Sequence, residues 1–232
     1  MSAGTARALV WTVLLGICSC QRPKPESGGN NPEPAPKIAV ANPLDTLPDT
    51  ALVDISLIDS TIILDIRYAT RDNFTARVLY PCARCFLRKS VGLRLARVNA
   101  GLKKKGYTLK VFDCYRPRSV QYVMWELAPD SRFVANPDRA SVHNRGAGVD
   151  LTIVDSEGHE LDMGSGFDEF SERSRTDFAG LTEEQANNRW LLREAMEREG
   201  FSGIKSEWWH FEAYDKERYS VLDVPFDCDE CK

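Results

Sequence analysis

A proline-rich stretch near the N-terminus most constrains what this chain can fold into. Residues 21–48 contain seven of the 12 prolines and no aromatic residue. Such a composition cannot bury enough apolar surface to offset the entropy of ordering the chain. We therefore predict a disordered linker over residues 21–49 and one folded domain over residues 50–232. A domain of about 180 residues is long enough to bury a substantial hydrophobic core.

The first twenty residues have the features of an export signal. Arg7 precedes a short apolar run over residues 8–17, which is too brief to span a bilayer comfortably. Cys20 follows this run after a small residue, as in the lipobox of bacterial lipoproteins, and would become the lipid-modified N-terminus. The alternative is an ordinary secretory signal cleaved nearby, because Cys18 is atypical two residues before a lipidated cysteine. Both interpretations export the mature domain, and we expect a periplasmic lipoprotein anchored to a membrane.

The charge balance argues against a nucleic-acid partner. The chain has 30 Lys and Arg residues against 34 Asp and Glu residues, a formal charge of -4. The longest basic run covers only residues 103–105. Proteins that bind nucleic acid usually carry a basic stripe or patch, and this chain has no such stripe.

Helices and strands alternate irregularly over the predicted domain. The hydrophobic patterns predict strands at 62–66, 107–112, 148–154 with a hairpin turn at 155–158, and 208–211. They predict helices through 95–102 before Gly106, after Pro117, and over 183–199 behind a Thr182–Gln185 capping box. The helix after Pro117 would bury an apolar stripe of Val120, Val123, Met124 and Leu127. This irregular order favours an α+β fold: a single compact domain with a central antiparallel sheet and flanking helices.

Two short segments carry the residues suited to chemistry. His143 and Asp150 lie seven positions apart across a glycine-rich bend, and Glu207 precedes His210 by three positions. Two histidines and one aspartate supply three ligands and leave a fourth position open, as a catalytic zinc ion requires to activate water. Glu207 would then act as the general base. Because residues three apart face opposite sides of a strand, Glu207 must lie before the strand that carries His210.

Each histidine also has a simpler interpretation. A single histidine is more often a hydrogen-bonded structural residue than a metal ligand. The chain has only three histidines, and His143 and His210 both lie in clusters with carboxylates. His159 lies beside a turn glycine, where we expect an exposed loop residue.

The chain has two Cys-x-x-Cys pairs, which could form disulfides or bind a structural zinc ion. Four thiolates could bind a structural zinc ion, but an exported protein favours disulfides. The sequence does not decide among the three possible pairings, although a bond between the two pairs would tie the C-terminal tail to the domain. Cys114 is predicted to be unpaired and buried. The four candidate residues are Cys82, Cys85, Cys228 and Cys231.

Together these motifs resemble those of the zinc D-alanyl-D-alanine dipeptidases. The pattern Ser-x-His-x-x-Gly-x-x-x-Asp occupies 141–150, and Glu-x-x-His occupies 207–210. Further matching segments occur in the family's order over roughly 50–220: Asp65–Thr70 with Asn73 and Phe74, Asp113–Pro117, Met163–Asp168 and Ser171–Ser174. The resemblance implies the α+β fold that the DD-peptidases share with the hedgehog proteins.

The resemblance also implies a role for each matching residue. The metal ligands would be His143, Asp150 and His210, binding one Zn²⁺ ion. Glu207 would take a proton from water and deliver it to the leaving amine. Arg116 would stabilise the oxyanion, although an ion-pair role for this arginine is the simpler alternative. Ser141 and Asp168 would contact the dipeptide, and Asp168 would hold its free ammonium group, unless this aspartate only caps a turn.

The implied activity is hydrolysis of D-Ala-D-Ala to two D-alanines during turnover or recycling of cell-wall dipeptides. One alternative is a peptidoglycan D,D- or L,D-carboxypeptidase or endopeptidase that accepts longer stem peptides. Another is a lipid-anchored binding module that keeps the zinc site without catalysis. Glu207 and Arg116 argue against the binding module, because a purely structural zinc site needs no general base. The physiological role, the limit on substrate length and the oligomeric state stay open at this stage.

Overall fold

The computed structural model describes Met1, residues 43–131, residues 134–226 and Cys228. The predicted signal beyond Met1, the predicted lipidation site Cys20 and the candidate disulfide residue Cys231 lie outside the described residues. So does most of the predicted linker. Its last residues, from Pro43 onward, form a short 3₁₀ helix at Pro43–Thr46, and Leu47 accepts a hydrogen bond from Lys89.

The described residues form seven strands and four α-helices. The strands are β1 (Leu52–Asp54), β2 (Ile63–Leu64), β3 (Phe86–Arg88), β4 (Thr108–Asp113), β5 (Gly148–Val154), β6 (Phe201–Gly203) and β7 (His210–Ala213). The helices are α1 (Ile55–Ile58), α2 (Lys89–Lys103), α3 (Arg118–Leu127) and α4 (Glu183–Arg198). Among these elements, no helix is both long enough and apolar enough to cross a membrane.

A five-stranded sheet in the order β2-β4-β5-β7-β6 forms the centre of the domain. Every neighbouring pair in it is antiparallel except β2 and β4, which run parallel. The predicted α+β fold with a mainly antiparallel sheet is therefore confirmed. The parallel pair is possible because a long connection containing α2 joins its two strands. A separate two-stranded sheet pairs β1 with β3.

Strand β5 is the central strand of the sheet, and all seven of its residues are buried. The sequence of a strand that is covered on both faces is mostly apolar, as that of β5 is. Helices α2 and α4 contribute buried side chains to the core, and the predicted α2 residues Leu95, Val98 and Leu102 are among them. The core therefore fixes β5, and through it the neighbouring strands.

Local signals predicted both ends of α4 and the C-terminal end of α2, whereas α2 begins at Lys89, six residues before the predicted span of 95–102. Helix α4 begins with the predicted capping box, in which Thr182 and Gln185 each bond the other's backbone N–H. Gly106, after α2, has φ +84°, and Gly200, after α4, has φ +86°. This left-handed conformation favours glycine, because a Cβ atom makes it costly.

Two predictions about single elements need correction. The strand predicted at 62–66 is reduced to β2, because Arg67–Ala69 turn into a 3₁₀ helix directly after Ile66. The apolar stripe predicted for α3 is also wrong in part, since Val123 and Leu127 are 39% and 37% exposed. Gln121 is fully buried in α3 instead, where it bonds Arg116 and the carbonyl of Ala135.

Two disulfides join described cysteines. Cys82 pairs with Cys228, so one bond links the two Cys-x-x-Cys pairs and ties the C-terminal tail to the domain. The second bond joins Cys85 to Cys114. The prediction that Cys114 is unpaired was therefore wrong, although its burial was predicted correctly. Because these sulfurs are oxidised, they cannot serve as thiolates in the alternative four-cysteine zinc site.

Candidate metal centre and active site

Three carboxylate and imidazole side chains line up across the middle of the main sheet. Asp150 on β5 pairs in register with His210 on β7, and on its other side with Asp113 at the end of β4. Residues directly opposite each other on neighbouring strands point to the same face. The sheet therefore brings together residues that are far apart in sequence.

His143 completes a cluster with Asp150 and His210. It lies in a 3₁₀ turn, His143–Arg145, that ends at Gly146 with φ +66°. The distance from His210 Nδ1 is 2.8 Å to Asp150 Oδ1 and 3.1 Å to His143 Nε2. His143 Nε2 lies 3.4 Å from Asp150 Oδ1. All three residues are buried, and their ligand atoms could bind one metal ion together.

These distances suit a small tetrahedral ion. With ligand bonds of 2.0–2.2 Å, two ligand atoms on a tetrahedral zinc ion lie about 3.3–3.5 Å apart. The three distances in the cluster are close to that edge length or slightly shorter. A set of two imidazoles and one carboxylate is also typical of catalytic zinc. The donor atoms and their spacing therefore fit zinc.

Neighbouring groups orient both imidazoles. His143 Nδ1 lies 2.7 Å from the backbone carbonyl of Cys114, so this nitrogen donates and Nε2 is left with its lone pair toward the cluster. His210 Nε2 lies 3.5 Å from Glu212 Oε1, and Glu212 pairs with Lys216. Partners of this kind set the tautomer and orientation of metal-binding histidines.

The carboxylates around the cluster experience opposite electrostatic effects. Burial raises the pKa of Asp150, but hydrogen bonds and charge interactions with His143 and His210 outweigh it and hold the pKa well below its usual range. Asp150 is therefore an anion, as a metal ligand must be. Burial raises the pKa of Glu207, and the charge of nearby Asp150 adds to that effect. A raised pKa suits a carboxylate that must accept and then release a proton.

Glu207 lies in the bend before β7, as predicted. The strand begins only at His210, and the preceding backbone turns where Trp208 N bonds the carbonyl of Ser174. Glu207 and His210 can therefore both line the same cavity although they are three residues apart. The geometric requirement that the sequence imposed on this pair is met.

Arg116 lies in the same cavity and also forms an ion pair. Its Nη2 lies 2.6 Å from Asp113 Oδ2, its Nε bonds the same oxygen, and its Nη1 donates to Gln121. Its backbone N–H donates to the carbonyl of His143. These side-chain bonds use three of the five guanidinium N–H groups, so the ion pair and a role toward substrate are compatible.

The cavity above the cluster has a volume of about 230 Å³. Ser141 and Asp168 both line it, as do the three candidate ligands, Glu207 and Arg116. A larger groove of about 690 Å³ beside α4 contains none of these residues. The small cavity is therefore the candidate active site. Its wall includes the aromatic residues Tyr68, Phe74, Phe170 and Trp209.

Asp168 faces the cavity from a strained backbone position. Its φ is +58°, which is uncommon for a residue other than glycine. Tyr68 donates a hydrogen bond of 3.0 Å to its Oδ2. Burial raises the pKa of Asp168 well above its usual value, and Asp150 adds to this effect. Ser141 contributes differently, because its Oγ accepts a 3.3 Å hydrogen bond from the backbone of His143.

Comparison with known proteins identifies the family of this chain. Residues 49–228 match peptidase family M15, described as D-ala-D-ala dipeptidase. The chain belongs to this family. It is 38% identical over 179 residues to D-alanyl-D-alanine dipeptidase of Escherichia coli. That alignment covers 77% of this chain and 93% of the relative. It is 34% identical over 173 residues to the enzyme of that name from Enterococcus faecalis, covering 66% and 86% of the two chains.

Two solved structures show a weaker likeness to this chain than those two relatives do. A vancomycin-resistance D,D-pentapeptidase in complex with Zn(II) aligns with a TM-score of 0.38 and 16% identity, over 57% of this chain and 75% of that chain. An LD-carboxypeptidase aligns with a TM-score of 0.40 and 19% identity, over 76% of this chain and 73% of that chain. The family assignment therefore depends on sequence.

Sequence reasoning gave no role to several residues that shape the active site of this peptidase. Asp113 holds Arg116, Tyr68 bonds Asp168, and Glu212 lies against His210. Asp113 and Tyr68 both occur inside the family motifs, so those motifs were the available signal. Glu212 lies outside those motifs, and its available signal was the alternation of the strand, because a residue two positions after His210 points to the same side of β7.

Proposed function

We propose that this peptidase hydrolyses the free dipeptide D-Ala-D-Ala to two D-alanines with one bound zinc ion. The observation that carries the proposal is the cluster of His143, Asp150 and His210 at one cavity with Glu207 and Arg116. Membership of the dipeptidase family and the names of the two relatives support the substrate. The donor set and the distances between ligand atoms support zinc.

In the proposed mechanism His143, Asp150 and His210 would hold the zinc ion. When bound, zinc supplies a Lewis acid that polarises the peptide carbonyl and makes water more acidic. Glu207 accepts a proton from the attacking water as the new C–O bond forms. It then gives this proton to the leaving amine as the C–N bond breaks, so the carboxylate is regenerated.

Arg116 would stabilise the negative charge that develops on the carbonyl oxygen. Asp113 and Gln121 hold the guanidinium before substrate arrives, so little reorganisation is needed in the transition state. One oriented donor of this kind is worth about 3–4 kcal/mol of transition-state free energy. Replacing Arg116 would therefore slow turnover more than it weakens substrate binding.

Asp168 would set the limit on substrate length. Its buried carboxylate would pair with the free ammonium group of the dipeptide. An acylated or extended N-terminus has no such charge and would leave the carboxylate without a partner. The cavity volume of about 230 Å³ is also small, which favours a short substrate.

The test is amine release by the zinc-loaded full chain from D-Ala-D-Ala, its N-acetylated form, L-Ala-L-Ala and a stem pentapeptide. We expect cleavage of the free D,D-dipeptide alone. Glu207→Gln should lower kcat by about 10²–10⁴-fold while zinc content stays at wild-type level. Cleavage of acylated or longer substrates would instead indicate a carboxypeptidase. Zinc binding without cleavage would indicate a binding module.

The proposed cellular role is recycling of cell-wall dipeptide outside the cytoplasm. The apolar run at 8–17 followed by Cys20 supports export and lipid attachment. Fractionation of cells that express the chain, with Cys20→Ser as a control, tests both points. Membrane association that is lost in Cys20→Ser is the expected result. Recovery from the cytoplasm with residues 1–20 still attached would contradict the proposal.

A further inference from the structure

Residues 113–116, the last residue of β4 and the three that follow it, form a short segment with three separate contacts to the active site. Within it, the Asp113 carboxylate holds the Arg116 guanidinium, and the Cys114 carbonyl accepts the 2.7 Å bond from His143 Nδ1. The Arg116 backbone also bonds the carbonyl of His143. A shift of this short segment would therefore move a metal ligand and the arginine together.

This segment is irregular, so sheet hydrogen bonds do not fix it. The pairing of β4 with β5 shifts register between Val111 and Asp113, and residues 114–117 belong to no helix or strand. Its backbone N–H groups are bonded one by one to separate acceptors: Cys114 N to Asp113 Oδ1, Tyr115 N to the carbonyl of Phe86, and Arg116 N to the carbonyl of His143. Because none of these bonds belongs to a regular helix or strand, a covalent restraint would add to them in holding the segment's groups within a fraction of an ångström.

The Cys85–Cys114 disulfide is placed to supply that restraint. Both cysteines are buried, with exposures of 0% and 2%, and their Cα atoms lie 5.3 Å apart. Cys85 is itself held, because its carbonyl accepts a hydrogen bond from Ile55 at the start of α1. The bond thus joins an anchored residue to the residue whose carbonyl orients His143.

We propose that the Cys85–Cys114 disulfide is a positioning element of the active site. It fixes the Cys114 carbonyl against His143 and, through Asp113, the direction of Arg116. This inference rests on the proposed zinc-dependent hydrolysis. Loss of the bond should lower both zinc affinity and kcat, because partners of metal ligands typically change affinity or activity by about 10–100-fold.

The second disulfide provides a matched control. Cys82–Cys228 also restrains the chain, and it closes a longer loop, with a sequence separation of 146 against 29. Neither cysteine of this pair contacts the metal ligands, Glu207 or Arg116 among the described contacts. A general loss of stability should therefore appear in both variants, whereas a loss of positioning should appear only when Cys85–Cys114 is removed.

The experiment compares Cys85→Ala/Cys114→Ala with Cys82→Ala/Cys228→Ala in the full chain. Zinc affinity is measured by competition with a chromophoric chelator, and kcat and KM are measured on D-Ala-D-Ala. We expect zinc affinity to fall about tenfold or more in the first variant, with kcat falling more than KM rises. In the control variant, zinc affinity and kcat should match wild type. Equal losses in both variants, or none in the first, would overturn the inference.

A repacked variant separates the covalent bond from the volume it fills. Cys85→Val/Cys114→Ala restores apolar volume without restoring the bond, and its folding is checked by circular dichroism. Weak zinc binding in this folded variant supports the inference. Wild-type affinity in it would mean that packing alone positions the segment, and failure of both variants to fold would mean that the bond serves folding. Both results reject the inference.

Failure of the proposed function gives a different result. If the wild-type chain does not bind zinc, the proposed function fails before any variant is compared. If wild type binds zinc but does not cleave the dipeptide, the affinity comparison still tests the positioning role.

Discussion

At the scale of single residues, the surroundings of three active-site carboxylates shift their pKa values in different directions. Asp150 contacts two imidazoles, which lower its pKa, whereas burial raises the pKa of Glu207 and of Asp168. Pairs of acidic groups with opposite pKa shifts are typical of sites that assign different tasks to the same residue type. The chemistry of each carboxylate therefore comes from its neighbours.

Asp168→Asn should lower activity and raise the unfolding free energy above pH 3.8. The folded-state pKa of Asp168 lies above its unfolded value of 3.8, so burying this charge costs no stability below that pH. The cost grows as pH rises above 3.8 toward the folded pKa and is constant above it. The unfolding free energy of Asp168→Asn should therefore match wild type near pH 3.5 and exceed it by a growing amount as pH rises from there toward the folded pKa.

Urea denaturation at several pH values, with metal removed by a chelator, measures this difference. In the zinc-loaded chain, kcat/KM for D-Ala-D-Ala should fall about 10- to 150-fold, the equivalent of a charged hydrogen bond worth about 1.5–3 kcal/mol. A stability difference that is constant with pH would contradict the assignment of the shift to Asp168.

At the scale of elements, the helices were predicted better than the strands. The capping box at Thr182 and the glycines after α2 and α4 are local signals that operate within one or two turns. Strand β2 depends instead on its parallel partner β4, so its length could not be read from its own apolar run. In α3, burial of Gln121 depends on Arg116, which the helical period does not reveal.

Two glycine substitutions should change stability in opposite directions. Gly146 ends the turn that carries His143, with φ +66°, and an added Cβ would lie 2.7 Å from Leu52 Cδ2. Gly146→Ala should therefore lower the unfolding free energy by about 1–2 kcal/mol from backbone conformation alone. Gly101 is an exposed residue of α2 with open space around it, so Gly101→Ala should raise the unfolding free energy by about 0.5–1 kcal/mol.

Thermal unfolding of both variants measures these effects. Because Gly146 is adjacent to the turn of His143, its variant should also bind zinc more weakly, while Gly101→Ala should bind zinc as wild type does. A stable Gly146→Ala variant with normal zinc affinity would show that the turn tolerates a side chain.

At the scale of the whole molecule, two disulfides and the sheet hold distant segments together. The cluster joins residues 143, 150 and 210, and Cys82–Cys228 ties the end of the chain to its first half. In the chain-entropy model, that bond contributes up to about 5 kcal/mol and the Cys85–Cys114 bond about 3.6 kcal/mol.

Cys82→Ala/Cys228→Ala should therefore lower the unfolding free energy at least as much as Cys85→Ala/Cys114→Ala does. Denaturant titration of each variant under non-reducing conditions gives the two values, with the wild-type chain as reference. A much smaller loss for the longer loop would indicate that the unfolded chain keeps structure around the tail.

The sequence by itself determined the chemistry of this peptidase. It identified both ends of α4, the C-terminal end of α2, the α+β class, the three candidate ligands and Glu207, because helix signals are local and each motif carries its own residue types. Only the tertiary structure decided the disulfide between Cys85 and Cys114, the pairing of Asp150 with Asp113 and His210 across the sheet, and the approach of His143 to His210. These features depend on strand register and on distances between segments far apart in the chain. No local pattern encodes such distances, since they follow from packing the whole sheet around β5.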